Sequence, residues 1–284
     1  MYSDIEIGNT LRQLRLNKGY SLEYLCQDDL HRSFLSKVER GTSRISVDRF
    51  ILLLERLHTN LDEFLFVLRD GEMTKLEKLI YTAELLVYQK DIEGLALLLK
   101  KLEKEEAPFS VRLFTISHIC LLKKEKLTKK YAQELNDYLF SVDNWGIHEM
   151  KLFGTAVIAI DFQQLLAYGR MLIKKKSHFQ KSHSLYVLYV HVFLNIINIC
   201  IEDEEFSLVE YFIEELENFH TKEVLIGERI ILSFNKNYVR WKKTTETEYL
   251  DECKFYINLM DKLGLKKKKA ELEDMINDNV SHFE

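Results

Sequence analysis

Residues 21 to 41 read SLEYLCQDDLHRSFLSKVERG, and the punctuation of this stretch decides the fold around it. Ser21 is a residue type that caps a helix, and Leu22 and Leu25 follow it at inward-facing spacing. Gln27 to Leu30 interrupts the pattern, and a second helix then runs from about His31 to Gly41, where glycine can take the left-handed cap. A short helix, a tight turn and a helix of two to three turns form the unit that lays side chains into the DNA major groove. The spacing therefore predicts a DNA-binding module.

The flanking sequence extends the module to five short helices over residues 7 to 69. A first helix from about Ile7 to Leu16 places Ile7, Leu11 and Leu14 on one face and Arg12 and Arg15 on another. Ser46 opens a fourth helix with Phe50, Leu53, Leu54 and Leu57 at helical spacing. Leu61, Phe64 and Leu65 are expected to form the buried stripe of a fifth, with Asp62 and Glu63 in its first turn. In the central helix Leu35 and Val38 point inward, which leaves Arg32, Ser33, Ser36 and Lys37 outside.

Composition sets the class. A single Pro and ten Gly among 284 residues, with 46% apolar content, leave few places to turn a sheet, so the chain is expected to be all-α. The net charge of −5 excludes a uniformly basic surface. DNA affinity must come from local clustering, and residues 31 to 49 supply Arg32, Lys37, Arg40, Arg44 and Arg49 against Glu39 and Asp48. Cys26, Cys120, Cys200 and Cys253 are far apart with no paired spacing, as in reduced core thiols of a cytoplasmic protein. The polar, acidic start, Met1-Tyr2-Ser3-Asp4, is not expected to direct export. LYVLYVHVFLNIINICI, residues 185 to 201, is interrupted by His191, Asn195 and Asn198 and is read as a core helix, with no membrane partner.

The stretches LRQLRLNKGYSLEYL (11 to 25) and LSKVERGTSRISVDRFILLLERLHTNLDEF (35 to 64) resemble the lambda-repressor-like (XRE) helix-turn-helix domain, in particular that of the Rgg family of Gram-positive regulators. LNDYLFSVDNWGIHEMKLFG, residues 135 to 154, is similar to a segment of Rgg, GadR and MutR regulators. The resemblance implies a sequence-specific transcriptional regulator with a DNA-binding domain over 1 to 69. A repeat domain would follow over 70 to 284, an α-solenoid of tetratricopeptide-like helices that senses a short signalling peptide and supports a homodimer. It implies base reading by Arg32, Ser33, Ser36 and Lys37, residue types suited to base edges. Phosphate contacts would come from Arg12, Arg15, Ser21, Arg40, Ser43 and Arg44, fixing register on double-stranded DNA with an inverted-repeat operator. Phe34 replaces a polar residue; contact with a thymine methyl and inward packing are both open to it. Val47 stands where some relatives carry a disulfide-forming Cys, so a dimer would rest on apolar burial.

Beyond Gly71 the pattern predicts about eleven amphipathic helices between residues 74 and 282. Breaks are expected near Asp91, Pro108, Leu127-Thr128, Asn144 to Gly146, Asp161, Ser177 to Ser182, Asp203, His220-Thr221, Lys243 to Thr245 and Gly264. A peptide groove needs apolar pockets and amides that bond an extended backbone. His191, Asn195 and Asn198 share one face of an apolar helix, as either pocket residues or satisfied core polars. Trp145, Tyr186, Tyr189 and Tyr238 are candidates to line such a groove, although aromatic stripes at helical spacing are core more often than not. Ile158 stands where peptide-binding relatives carry an Arg, which implies a different peptide or another ligand. The runs Lys174 to Lys176 and Lys266 to Lys269 are read as solvated helix ends favoured by the dipole.

No phosphate-binding glycine loop, nucleophile elbow or metalloprotease motif occurs, so the chain is not expected to be an enzyme or to need a cofactor or metal. Two other readings fit the same residues: a regulator whose repeats recruit RNA polymerase or another protein, and an adaptor whose helix-turn-helix has become an interaction surface.

Overall fold

The computed structural model describes residues 2 to 219 and 225 to 280, and these form seventeen α-helices. The chain divides into two compact units, Met1–Tyr81 and Thr82–Glu284.

The first unit holds α1 (Asp4–Asn17), α2 (Leu22–Cys26), α3 (Arg32–Glu39), α4 (Val47–Arg56) and α5 (Leu61–Leu68). Helix α1 starts a turn earlier than the apolar spacing predicts. Ser3 and Glu6 form a capping box, with the Glu6 amide donating to Ser3 Oγ at 3.2 Å and the Ser3 amide to Glu6 Oε2 at 2.7 Å. Leu11, Leu14, Leu25, Leu35, Val38, Leu53, Leu57 and Phe64 make the core, as their spacing predicts. Leu61 does not join it: it is 52% exposed because the chain enters α5 there, and Leu65 and Leu68 pack on the core instead. The Ser46 hydroxyl makes no cap bond to α4; it bonds the Asp48 carboxylate, holding that carboxyl below its usual range.

Two glycines set how closely α1 meets α3. A Cβ on Gly8 would collide with the Val38 carbonyl oxygen, and one on Gly41, at φ +66°, would press on the Ile5 backbone. The C-terminal end of α3 is thus seated directly on α1.

The second unit is built from α7 (Ile92–Lys104), α8 (Phe109–Lys123), α9 (Lys129–Ser141), α10 (Ile147–Ala156), α11 (Phe162–Lys174), the single turn α12 (Lys176–Phe179), α13 (His183–Glu202), α14 (Phe206–Asn218), α15 (Ile226–Thr244), α16 (Thr247–Lys262) and α17 (Lys266–Val280); α6 (Lys75–Tyr88) runs across the boundary between the units. Eleven helices longer than one turn lie in the stretch where eleven are expected, and α12 overlaps the predicted Ser177 to Ser182 break. Asp91, Pro108, Thr128, Gly146 and Asp161 are N-caps, so those breaks read correctly; the break at His220-Thr221 lies outside the described residues. Helices pack on a neighbour or on one further along, as α8 does on α7 and α10 and as α13 does on α14 and α15, which makes this part an α-solenoid of helical repeats.

Helix α13 is long and apolar enough to cross a membrane, yet its most apolar 18-residue window is 61% buried inside the protein. It packs against α10, α11, α12, α14 and α15. The four cysteines are free and buried, and burial pushes the Cys200 and Cys253 thiols up to about 12. Lys266 to Lys269 departs from expectation: it occupies the first turn of α17, where cations oppose the dipole. Glu271 holds Lys268 at 2.9 Å, and Asp261 holds Lys269 at 3.4 Å.

Gly8→Ala is expected to destabilise the first unit by about 1–3 kcal/mol through overpacking against α3. Hydrogen exchange of the α3 amides checks this: protection should fall roughly tenfold or more, whereas unchanged exchange would mean that α1 has slack at this contact.

Candidate nucleic-acid interface and ligand cleft

Helix α3 is held on its inner side by one buried ion pair. Arg15 Nε donates to Glu39 Oε1 at 2.6 Å and its Nη2 to Glu39 Oε2 at 2.7 Å, while Nη1 donates to the Tyr20 carbonyl at 2.8 Å. Arg15 and Glu39 are 7% and 4% exposed, so this pair ties α1, the turn after it and the end of α3 together. The bond to Glu39 raises the Arg15 pKa above its ordinary value. The expectation that Arg15 contacts phosphate is therefore corrected: its donors are spent inside the unit.

A second arginine completes the turn. Arg56 Nη1 donates to the carbonyls of Leu25 and Cys26 at 2.7 and 2.8 Å, satisfying the open end of α2, and its Nη2 pairs with Asp29. Gln27, at φ +44°, turns the chain out of α2 at that point. Ser21 caps α2 as its sequence predicts, accepting from the Tyr24 amide at 3.1 Å.

With Leu35 and Val38 committed to the core, α3 presents Arg32, Ser33 and Lys37 to solvent, and Ser36 is half-buried beside them. Arg32 forms an exposed ion pair with Glu23 of α2 at 2.5 Å, a contact of the kind that contributes little in water. Arg40 Nε donates to the Ser36 carbonyl at 3.1 Å. Arg12 and Arg44 are exposed, and Arg44 pairs loosely with Asp4 at 3.1 Å; Ser43 is half-buried. Phe34 is half-buried against the core, and Arg49 lies 5.0 Å over its ring, so inward packing is the role it takes. Arg49, one of the basic cluster expected over residues 31 to 49, is thereby held beside α3.

The residues expected to hold a peptide separate into two groups. Trp145 and Tyr189 are core, each 1% exposed. Trp145 Nε1 donates to the Leu139 carbonyl at 3.1 Å, and its ring lies against Phe153 and Tyr168. Tyr189 is enclosed by Phe179, Phe193 and Phe219. These two are corrected from groove to core, because rings at helical spacing on buried helices stack on one another. Ile158 is half-buried in the turn after α10. His191 is exposed and meets Glu228 of α15 at 2.8 Å, and Asn195 is half-buried.

Asn198 and Tyr238 do meet. They line a cleft of about 530 Å³ between α13, α15 and α17, whose apolar walls include Ile201, Ile231, Leu272 and Met275. Behind Asn198 stands a residue that the sequence did not single out: Asn235, 0% exposed, donates from Nδ2 to Asn198 Oδ1 at 3.0 Å. Ile231, Asn235, Tyr238 and Lys242 recur at helical spacing on α15, and this mixed stripe was the available signal.

Residues 95–274 match the family described as HTH-type transcriptional regulator Rgg, C-terminal domain, and residues 11–64 match the Helix-turn-helix family. The chain belongs to the Rgg family. Its helix-turn-helix match lies ahead of that C-terminal domain, the layout of an HTH-type transcriptional regulator. An uncharacterized HTH-type transcriptional regulator of Rickettsia conorii is 40% identical to it over 62 residues, 22% of this chain; the chain spans about half the length of the curated relatives it matches. Among solved structures, the Streptococcus dysgalactiae SHP pheromone receptor Rgg2 superposes with a TM-score of 0.80 at 22% identity, covering 96% of this chain and 99% of that one. A transcriptional regulator of Listeria monocytogenes gives 0.80 at 18% identity, covering 96% of each chain. The PrgX/cCF10 complex gives 0.72 at 14%, covering 96% and 99%. At these identities the structures establish a shared fold over 96% of the chain.

Arg15→Ala should destabilise the chain by about 3–5 kcal/mol, since it leaves the Glu39 carboxylate buried without its partner. The double variant Arg15→Met with Glu39→Leu should lose much less. Chemical denaturation of both distinguishes this from a pair without energetic weight, for which the single variant would unfold at the wild-type midpoint.

Proposed function

We propose that this regulator binds an inverted-repeat operator in double-stranded DNA as a homodimer, through α3, in the cytoplasm. The observation that carries the proposal is the division of α3 into two faces. Leu35, Val38 and Glu39 are fixed inward, and Arg32, Ser33 and Lys37 are left outward beside a short preceding helix. Arg32 and Lys37 offer donors to guanine O6 and N7, with Ser33 and Ser36 as adaptable partners. Arg12, Ser21, Arg40, Ser43 and Arg44 flank them as phosphate contacts that set register. In this reading residues 1 to 69 are the DNA-binding domain and 70 to 284 the sensing and dimerisation domain. Val47 and Ile51, one turn apart on α4, are 74% and 50% exposed and support apolar pairing of two copies.

The repeat domain binds a short signalling peptide. Support comes from the cleft at Asn198 and Tyr238 and from the fold shared with a pheromone receptor and with PrgX in its cCF10 complex. His191, Asn195 and Ile158 lie on or near the surface of the same unit as further candidate contacts. For the peptide to control transcription it must bind one arrangement of the DNA-binding domains more tightly than another, because equal affinity shifts nothing.

The test is selection of duplexes from a randomised DNA pool on the full chain, followed by anisotropy titration of the selected sequence. Arg32→Ala and Lys37→Ala should each lose about 1–3 kcal/mol and relax preference at one base position. Arg44→Ala should weaken all sequences alike and lower the salt slope by about 1. A pool that stays unenriched, or an unchanged optimum in the Arg32→Ala and Lys37→Ala variants, would contradict the reading.

A further inference from the structure

The geometry points to the cleft between α13, α15 and α17 as the seat of a short peptide that enters with a cationic end, its N-terminal ammonium or a terminal Lys or Arg side chain; this rests on the peptide reading above. The cleft, about 530 Å³, combines an apolar body with a charged rim of one dominant sign. Four carboxylates line it, Glu202, Glu204, Glu271 and Asp274, against two ammonium groups, Lys242 and Lys268. Lys268 is already held by Glu271 at 2.9 Å. Burial and the neighbouring Asp203 push the Glu202 carboxyl above its usual range, against the weaker pull of Lys126 and Lys124. Glu204 and Asp274 form no salt bridge among the described residues, and they leave the rim short of positive charge.

An independent feature marks the same place as unfinished. Asn235 is fully buried on the α15 stripe between Ile231 and Tyr238, both of which line the cleft. Its amide nitrogen is used by Asn198, a lining residue, but its carbonyl Oδ1 has no hydrogen-bond partner. A buried amide oxygen without a donor is rare, and it leaves the Asn198–Asn235 pair, whose Asn198 lines the cleft, with an acceptor to spare beside it. A peptide supplies all three elements at once: apolar side chains for Ile201, Ile231, Leu272 and Met275, amides for the Asn198–Asn235 pair, and a positive end for the rim. A peptide leading with carboxylates would bring like charge to Glu204 and Asp274 and be rejected.

The test is affinity selection of a random heptapeptide library on the immobilised full-length chain, with bound peptides sequenced by mass spectrometry. Peptides with Lys or Arg at one end of an apolar run should be enriched at least tenfold over those with Asp or Glu there. The double variant Glu204→Gln with Asp274→Asn should reduce that bias below about threefold while still retaining apolar peptides, which separates the cleft from attraction by the chain's overall negative charge. Asn235→Leu, isolated with its thermal midpoint checked, should lower total retention without changing the charge bias. Enrichment that is acidic or indifferent to charge, or a cationic bias that survives in the double variant, would overturn the inference and leave the peptide reading standing. Recovery no better than from a blank support would overturn both.

Discussion

The second unit is organised around a helix that cannot be left uncovered. Helix α13 carries Leu185, Tyr189, Val190, Phe193, Ile196, Ile197 and Cys200 in buried positions around most of its circumference. A helix apolar all round is stable in water only when other elements enclose it. Helices α10, α11, α12, α14 and α15 all pack on it, and this requirement fixes their placement more strongly than any capping residue does. The polar side chains of α13 are confined to what enclosure leaves open. His191 reaches Glu228, and Asn198 reaches Asn235 at the edge of the cleft. The cleft beside α13 thus inherits amides, a tyrosine and carboxylates over apolar walls.

The first unit solves a different problem with polar bonds. Its helices are five to fourteen residues long, too short to be stable alone. Burial of Leu11, Leu35, Leu53 and Phe64 supplies cohesion, but apolar contacts are non-directional and do not aim a helix. Direction comes from Arg15 gripping Glu39 with two bonds, from Arg56 closing the end of α2, and from Gly8 and Gly41, which allow α1 and α3 to approach. These contacts consume Arg15, Glu39 and Arg56, and in doing so define which charges remain for DNA. Arg32 is paired only with exposed Glu23, a partner that a base edge or phosphate can replace at small cost.

Much of this was legible from residue order. Helix starts announce themselves locally, so Ser21, Asp91, Thr128 and Asp161 marked them correctly, and Leu35 and Val38 assigned the inner face of α3. What the order concealed depends on partners far along the chain. Arg15 looks like its neighbour Arg12 until Glu39, 24 residues away, is seen to meet it. Trp145 and Tyr189 look like groove residues until their ring neighbours close over them. The lysines at 266 to 269 were misread because the pattern did not show which end of a helix they occupy, and Asn235 went unnoticed because its meaning lies in Asn198 on another helix.

The central claim is that the outward face of α3 reads DNA for a regulator built in this way. Genome-wide occupancy of the tagged full-length protein in its native cell, beside the Arg32→Ala/Lys37→Ala double variant, tests it most directly. The account predicts sharp peaks centred on an inverted repeat for the wild type and their loss in the double variant at equal protein abundance. Equal peaks in both, or peaks without a shared sequence, would contradict it.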